Sequence, residues 1–583
     1  MSWVQTINPS GNLAISALIA AIPILFFLFA LAVLRMKAHL AALITVALAI
    51  LVSSAFHGMP VKFSILSVFY GALFGLWPIG WIVLTAVFLY NLTVRTGQFE
   101  IIRGSITSIT NDRRLQALLI AFSFGAFLEG AAGFGTPVAI TAAMLVGLGF
   151  NPLYAAGICL IANTAPVAWG AVGIPVITAG AVTGIDAMTI SQMIGRQLPF
   201  LSLFVPFWLI FVMSGWKGAK EIWPAIAVCG VSFAAVQWFS SNYLSPMLPD
   251  ILSSLSSMIA LVLFLRVWQP KSIWKFKDEP ERAPAGNVTV HNAAAVFKAW
   301  LPFIILTILI ADWGLSPVKT LLDRANIPIV FSALNNAIII GGKPLGVIYT
   351  FNWLSATGTA ILITGLITAF IFKIKVAELS RIFADTLKSL RFALLTIALV
   401  LGFSYVANWS GMTPTLGKAF TVAGTFFPFL SAFLGWLGVF ITGSDTSSNA
   451  LFAKMQQVTA QSTGINPVLT VAANSSGGVM GKMISPQSIV VGTSSTGLTG
   501  REGDLFRFTL PHSIFLTVIV GLITVLQAYM FPWMIPSVKK AALVARGAAG
   551  GGPLILFVTV ILILFLISLA LRETIYHPRP KRV

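Results

Sequence analysis

Apolar runs of about 17 to 25 residues, long enough to cross a bilayer as helices, recur along the chain between short polar connections. There are about 12 to 15 of them on that length criterion, including 12–34, 38–56, 193–213, 222–240, 353–372, 507–530 and 553–572. Strands of a membrane barrel would instead appear as short alternating segments. The pattern predicts an all-α polytopic membrane protein. Four stretches break it with glycine, proline and polar side chains: 129–137 (EGAAGFGTP), 163–175 (NTAPVAWGAVGIP), 442–450 (TGSDTSSNA) and 474–487 (NSSGGVMGKMISPQ). These predict broken or re-entrant helices.

The breaks belong to an internal repeat. Phe127 aligns with Phe440, Gly130 with Gly443, and GFNP (149–152) with GINP (464–467). Asn163 aligns with Asn474, Thr164 with Ser475, Gly170 with Gly481, Pro175 with Pro486, and Thr96–Gly97 with Ser410–Gly411. The offset stays between 311 and 315 residues. The expected organisation is a first transmembrane half (1–245), a connecting helix and cytoplasmic linker (246–297), a second half (298–536), and a link with one extra helix (537–583).

Charge suggests how the halves are related. Arg95, Arg103, Arg113 and Arg114 crowd the loop 95–114, whose counterpart 408–418 holds only Lys418. Conversely, Lys373, Lys375, Arg381, Lys388 and Arg391 crowd 373–391, whose counterpart 57–62 holds His57 and Lys62. Basic loops stay in the cytoplasm, so equivalent helices are expected to run in opposite directions. That is the inverted repeat of secondary transporters, which place substrate where broken helices meet near mid-membrane. Arg35 and Lys37 put the loop after the first run inside and the N-terminus outside. The tail HPRPKRV fits a cytoplasmic end, hence an odd number of crossings.

Of the 583 residues, 57% are hydrophobic and 9% charged; soluble domains average about 25% charged. The net charge of +19 resides in the connections and reads as topology signal rather than nucleic-acid binding. The N-terminal MSWVQTINPSGN lacks a basic residue and a small-residue cleavage site, so a retained first span is expected. Cys159 and Cys229 lie in apolar segments and suggest neither disulfide nor metal. GGVMGKMIS (477–485) is not a nucleotide loop, because Ser476 stands where its first glycine belongs and Met483 follows the lysine, and no His-Glu-x-x-His occurs. No enzyme, metal or cofactor is indicated.

A broken helix exposes N–H groups at one new end and C=O groups at the other, and the N–H end suits anions. Gly130, Gly133, Gly135, Pro137 and Pro175 in half one, and Gly443, Gly481 and Pro486 in half two, are the expected break residues. Glu129 is the only charged side chain between Arg114 and Asp186, although an intramembrane charge costs about 2.5–3.5 kcal/mol. It can escape by taking a proton or by pairing with a cation. Asp445 sits among Ser444, Thr446, Ser447, Ser448 and Asn449, a set able to bind a hydroxy-carboxylate or coordinate sodium. Glu129 and Asp445 are the candidates for ion coupling. Lys482 is the one cation of its break, placed to meet a substrate carboxylate or to pair with Asp445 or Glu129. Asn163, Thr164, Asn474, Ser475, Ser485 and Gln487 complete the candidate substrate site.

The long motifs GAFLEGAAGFGTPVAITAAMLVGLGFNPLYAAGICLIANTAPVAWGAVGIP and FLGWLGVFITGSDTSSNALFA, with VAAN and GKMISPQSI, closely resemble the bacterial L-lactate permease family, which includes glycolate permeases. The resemblance runs from NPSGN to about Pro536; the segment after residue 552 departs from it. It implies uptake of L-lactate, with D-lactate and glycolate, by proton symport across the cytoplasmic membrane. The implied partners are a small monocarboxylate, protons and the lipid bilayer. The residues alone leave other small organic anions, a sodium-coupled symporter and a channel as alternatives.

Overall fold

The computed structural model describes residues 2–133, 135–276 and 292–537. The middle of the expected linker (277–291) and the expected extra helix (553–572) lie outside the described residues. Among those described, eleven helices are long and apolar enough to span a membrane, or up to twelve if the pair Pro152–Ala162 and Val167–Thr183, bent by 63°, forms one span. The apolar runs thus become the all-α polytopic fold that they predict.

The halves cross head to tail. Val61–Arg95 and Val376–Ser410 are both 35-residue spans at equivalent repeat positions. Gly71 abuts Leu401 and Gly402, Gly75 abuts Ala398, and Gly80 abuts Leu394. Farther along, Asn91 donates to Thr386 (2.9 Å) and Arg95 meets Asp385 (3.8 Å). As numbers rise on one helix they fall on the other, so equivalent helices are antiparallel. This contact places the basic loop after Arg95 beside the basic start of Val376–Ser410, at one end of the molecule.

Each half then repeats one series. A left-handed glycine (Gly97, Gly411) leads to a short helix and then to a helix that stops at the first break. After a second glycine turn (Gly149, Gly464), Asn151 and Asn466 cap helices that begin with Pro152 and Pro467. Each asparagine Oδ1 accepts a backbone N–H two residues on, at 3.0 and 2.9 Å, and proline suits the first helical turn because its missing N–H would be unpaired there.

Arg113–Ala131, which carries Glu129, is fully buried along its apolar window. Other protein elements, rather than lipid, surround the acid. Behind it, buried Arg114 forks onto Asp112 (3.1 and 2.8 Å) and meets Glu221 (2.8 Å) and the carbonyls of Gly218 and Ser272. Trp274 N–H also reaches Asp112 (3.0 Å), so the first residues of the linker are fastened to half one.

The polar connection 313–350 folds further than its sequence pattern suggests. Ile338–Ile340 pairs with Lys343–Pro344 across Gly341–Gly342, both with positive φ, as a two-residue hairpin requires. Trp3–Val4 adds a parallel strand to Ile338–Ile339, and Ile327–Val330 pairs with Ile348–Phe351. These short strands cap the end opposite the basic loops.

The head-to-tail crossing depends on backbone approach. A Cβ on Gly71 would lie 2.5 Å from the Leu401 carbonyl oxygen, and such overpacking costs about 1–3 kcal/mol. Gly71→Ala is therefore expected to lower the thermal unfolding temperature of the detergent-purified protein. Gly147→Ala, at a helical site with open space around it, is expected to leave that temperature unchanged or raise it.

Candidate functional site

In half one the acid helix ends at Ala131. Gly133 (φ +59°) and Gly135 (φ +81°) turn the chain into Thr136–Gly147, with Pro137 in its first turn. In half two a single glycine, Gly443 (φ +70°), ends Phe427–Thr442. Ser444 then caps Asp445–Thr463, its Oγ accepting the Ser447 N–H at 3.2 Å. An L-residue at these left-handed glycines would be strained.

The second breaks are less alike. In half one the chain leaves helix after Ala162, and Ala171, Val172 and Gly173 form a left-handed turn (φ +45°, +61° and +78°). A β-branched valine rarely adopts this conformation, and strained backbone of this kind gathers at functional sites.

In half two the break is narrower than the expected 474–487. Pro467–Lys482 is continuous helix, and only 483–485 interrupt it before Ser485 caps Pro486–Ser495. The glycines explain the difference. Gly477 and Gly481 lie against the Ala432 and Trp436 carbonyls, and Gly435 lies against that of Asn474. These small residues bring two unbroken helices into backbone contact. Gly481 is thus inside a helix rather than at a break, and Gly130 likewise lies within Gly125–Ala131. Pro175 also lies inside its helix, just beyond the left-handed turn.

All four interruptions line one cavity of about 60 Å³. Glu129, Gly133 and Gly135 come from the first, and Val167, Gly170, Ala171 and Pro175 from the second. Gly443, Ser444, Asp445 and Thr446 come from the third, and Lys482, Gln487, Ser488 and Val491 flank the fourth. In its wall Lys482 Nζ meets Glu129 Oε1 at 2.8 Å, both side chains almost fully buried. Asn163 Nδ2 donates to the other Glu129 oxygen at 3.0 Å. A Cβ on Gly170 would fall 2.7 Å from Glu129 Oε1, so the carboxylate occupies the space a side chain there would need.

Several expected site residues form a polar layer behind the cavity. Asn449 Nδ2 donates to Ser475 Oγ (2.6 Å), to the Pro175 carbonyl (3.2 Å) and to Asp445 Oδ2 (3.4 Å). Asn474 donates to Asn449 Oδ1 (2.9 Å) and accepts from Gln456 (3.1 Å). Ser448 bonds the Gly435 carbonyl, Thr164 the Ile161 carbonyl, and Ser485 the Lys482 carbonyl. These side chains satisfy backbone or one another and do not line the cavity; nor do Ser447, Pro137 and Pro486.

Sequence reasoning passed over Val167, Gly170, Ala171, Ser488 and Val491 in the wall, and Asp250 beside it. The repeat does pair Gly170 with Gly481. Asp250 carried a readable signal too, as the one charged residue between Glu221 and Arg266. A Cβ on Gly130 would lie 2.6 Å from that of Asp250.

A buried cation–acid pair thus stands in the wall of a small cavity where broken helices from opposed halves meet, the place at which secondary transporters hold substrate. The family profile described as L-lactate permease matches residues 16–531. The chain belongs to the L-lactate permease family. This permease is 54% identical over 563 residues to an L-lactate permease of Bacillus subtilis (strain 168), covering 92% of this chain and 100% of that protein. It is 51% identical over 548 residues to an L-lactate permease of Escherichia coli (strain K12), and 51% over 559 residues to the glycolate permease GlcA of the same strain. Each match again covers 92% of this chain and 100% of the relative. The permease is a multi-pass protein of the bacterial inner membrane.

Removing one partner of a buried ion pair costs about 3–5 kcal/mol, whereas removing both is often neutral. Lys482→Met is expected to lower the unfolding temperature of the purified permease markedly. The double variant Glu129→Gln/Lys482→Met is expected to recover most of the loss. Thermal unfolding in detergent without substrate checks both.

Proposed function

We propose that this chain is a secondary active transporter that takes up L-lactate, with D-lactate and glycolate, by proton symport. The carrying observation is the Lys482–Glu129 pair in the wall of the four-break cavity. The names of the relatives support the substrate class. A water needs about 10–15 Å³, so about 60 Å³ accommodates roughly four to six heavy atoms. This suits a two- or three-carbon hydroxy acid and disfavours a sugar acid.

Substrate and Glu129 compete for one ammonium. In the empty site, Lys482 and Glu129 form a neutral pair. When a substrate carboxylate takes Lys482, Glu129 loses its cation and would leave a buried unpaired charge, which is strongly unfavourable. A proton on Glu129 restores neutrality, so anion and proton bind together. The complex then crosses without net charge, avoiding the roughly 2.3 kcal/mol per 100 mV that a bare anion would meet. Asp445 stands at the first turn of its helix, where N–H ends favour an anion. It lines the cavity, and its Oδ1 has no hydrogen-bond partner among the described residues. In this reading it accepts the substrate's 2-hydroxyl, and Ser444, Thr446 and Gln487 supply further polar contacts.

In this reading the carrier consists of two transmembrane halves, 1–245 and 298–536, joined through 246–297, with 537–583 outside the repeat. The chain acts as a carrier rather than an enzyme.

Labelled lactate uptake into proteoliposomes tests the reading. An imposed inward proton gradient is expected to drive accumulation, a protonophore to abolish it, and sodium removal to leave it unchanged. Accumulation that follows sodium instead would overturn proton coupling. Because binding takes up one proton, lactate affinity is expected to fall as pH rises, by at most about tenfold per pH unit. In Glu129→Gln, held neutral, that pH dependence is expected to vanish, with exchange retained and accumulation lost.

A further inference from the structure

We infer that Asp250 is the carboxyl through which Glu129 exchanges its proton with solvent. The inference rests on the proton-symport reading and deepens it. Asp250 is 1% exposed, and neither carboxyl oxygen has a hydrogen-bond partner among the described residues. It begins the helix Pro249–Val267, which seats against Gly130, the neighbour of Glu129. It does not line the cavity and so stands behind the ion pair rather than in the substrate's place.

The surroundings dictate its protonation. Glu129 and Lys482 are the charged groups acting on it. Among the other elements packed on its helix, 117–124 brings no titratable side chain. Trp223–Phe239 brings Cys229, held by Ser257 about two turns along. Residues 240–244 bring Tyr243, which is exposed. Lys482 is committed to Glu129 at 2.8 Å. A second carboxylate here would be buried without a donor and next to a like charge, a state that neutralises by taking a proton. Asp250 is therefore the neutral acid of the cluster, beside a carboxylate that must be neutralised when substrate takes Lys482.

The step balances. The Asp250 O–H bond breaks as an O–H bond forms on Glu129, and the resulting Asp250 carboxylate takes a proton from water. On the opposite side of the membrane the transfer reverses as substrate leaves: Glu129 returns the proton to Asp250, Asp250 gives one to water, and Glu129 rejoins Lys482. One proton accompanies each monocarboxylate.

The test uses the full chain in proteoliposomes with labelled L-lactate. Asp250→Asn is expected to reduce pH-gradient-driven accumulation by about 10²-fold, as loss of a positioned proton-transfer group does. Exchange of internal for external lactate at equal pH requires no net proton release and is expected to persist. Asp250→Glu is expected to regain accumulation with a displaced pH profile. Wild-type accumulation in Asp250→Asn would overturn the assignment, as would joint loss of exchange and accumulation in a variant that unfolds at the wild-type temperature. If Asp250→Asn fails to fold, Asp250→Glu decides: a folded Glu variant that accumulates nothing at any pH also overturns it. Should the wild type itself fail to accumulate under a proton gradient, the symport reading falls, a result distinct from failure of the relay alone.

Discussion

Hydrocarbon offers no partner to a backbone N–H or C=O, so a helix can be opened inside a membrane only where protein or a polar cavity covers the exposed groups. The rest of the architecture serves that constraint. The helix leading into the first break is wholly enclosed, and the serines at the later breaks turn their hydroxyls onto free amides. Behind the cavity Asn449, Asn474, Ser475 and Gln456 satisfy one another and the Pro175 carbonyl. Opening four backbones at one depth thus requires a second layer of polar side chains, which in a sequence resembles an extended binding site.

The charges obey the same logic. Glu129 comes from one half and Lys482 from the other, and they meet at 2.8 Å with both side chains almost fully buried. Neither is stable alone at that depth, so each half carries the other's compensation. The pair ties the halves together in the wall of the four-break cavity, while the glycine-lined crossing of Val61–Arg95 with Val376–Ser410 ties them along their length. One contact is electrostatic and open to competition; the other is steric and is not.

Much of this was legible beforehand because it rests on periodicity and spacing. Apolar length predicted the spans. The constant offset between Gly130 and Gly443, or Pro175 and Pro486, predicted the repeat, and the basic loops predicted its opposed direction. The convergence of four breaks followed from their polar content. What was not legible depended on partners distant in sequence. NSSGGVMGK reads as a break, but its glycines answer the Ala432 and Trp436 carbonyls and keep the helix whole. Gly170 reads only as the repeat partner of Gly481 within the 163–175 break until the Glu129 carboxylate is seen lying against it. Asp250 draws no notice in the sequence until its position beside Gly130 is known. The hairpin at Gly341–Gly342 carried a local signal, outweighed by the polar character of its surroundings.

The seam between Phe427–Thr442 and Pro467–Lys482 has a bearing on how such a protein diversifies. Gly435, Gly477 and Gly481 are each covered by a carbonyl of the facing helix, and the asparagine layer beside them is bonded throughout. Drift at those positions is closed off, because any added methyl separates the helix that ends at Lys482 from the one that leads to Asp445. The freedom that remains lies at Val167, Ala171 and Val491, which line the cavity with aliphatic side chains. A change of cargo size on this scaffold is therefore open to the gain or loss of a few carbon atoms at those positions, with the Lys482–Glu129 pair kept.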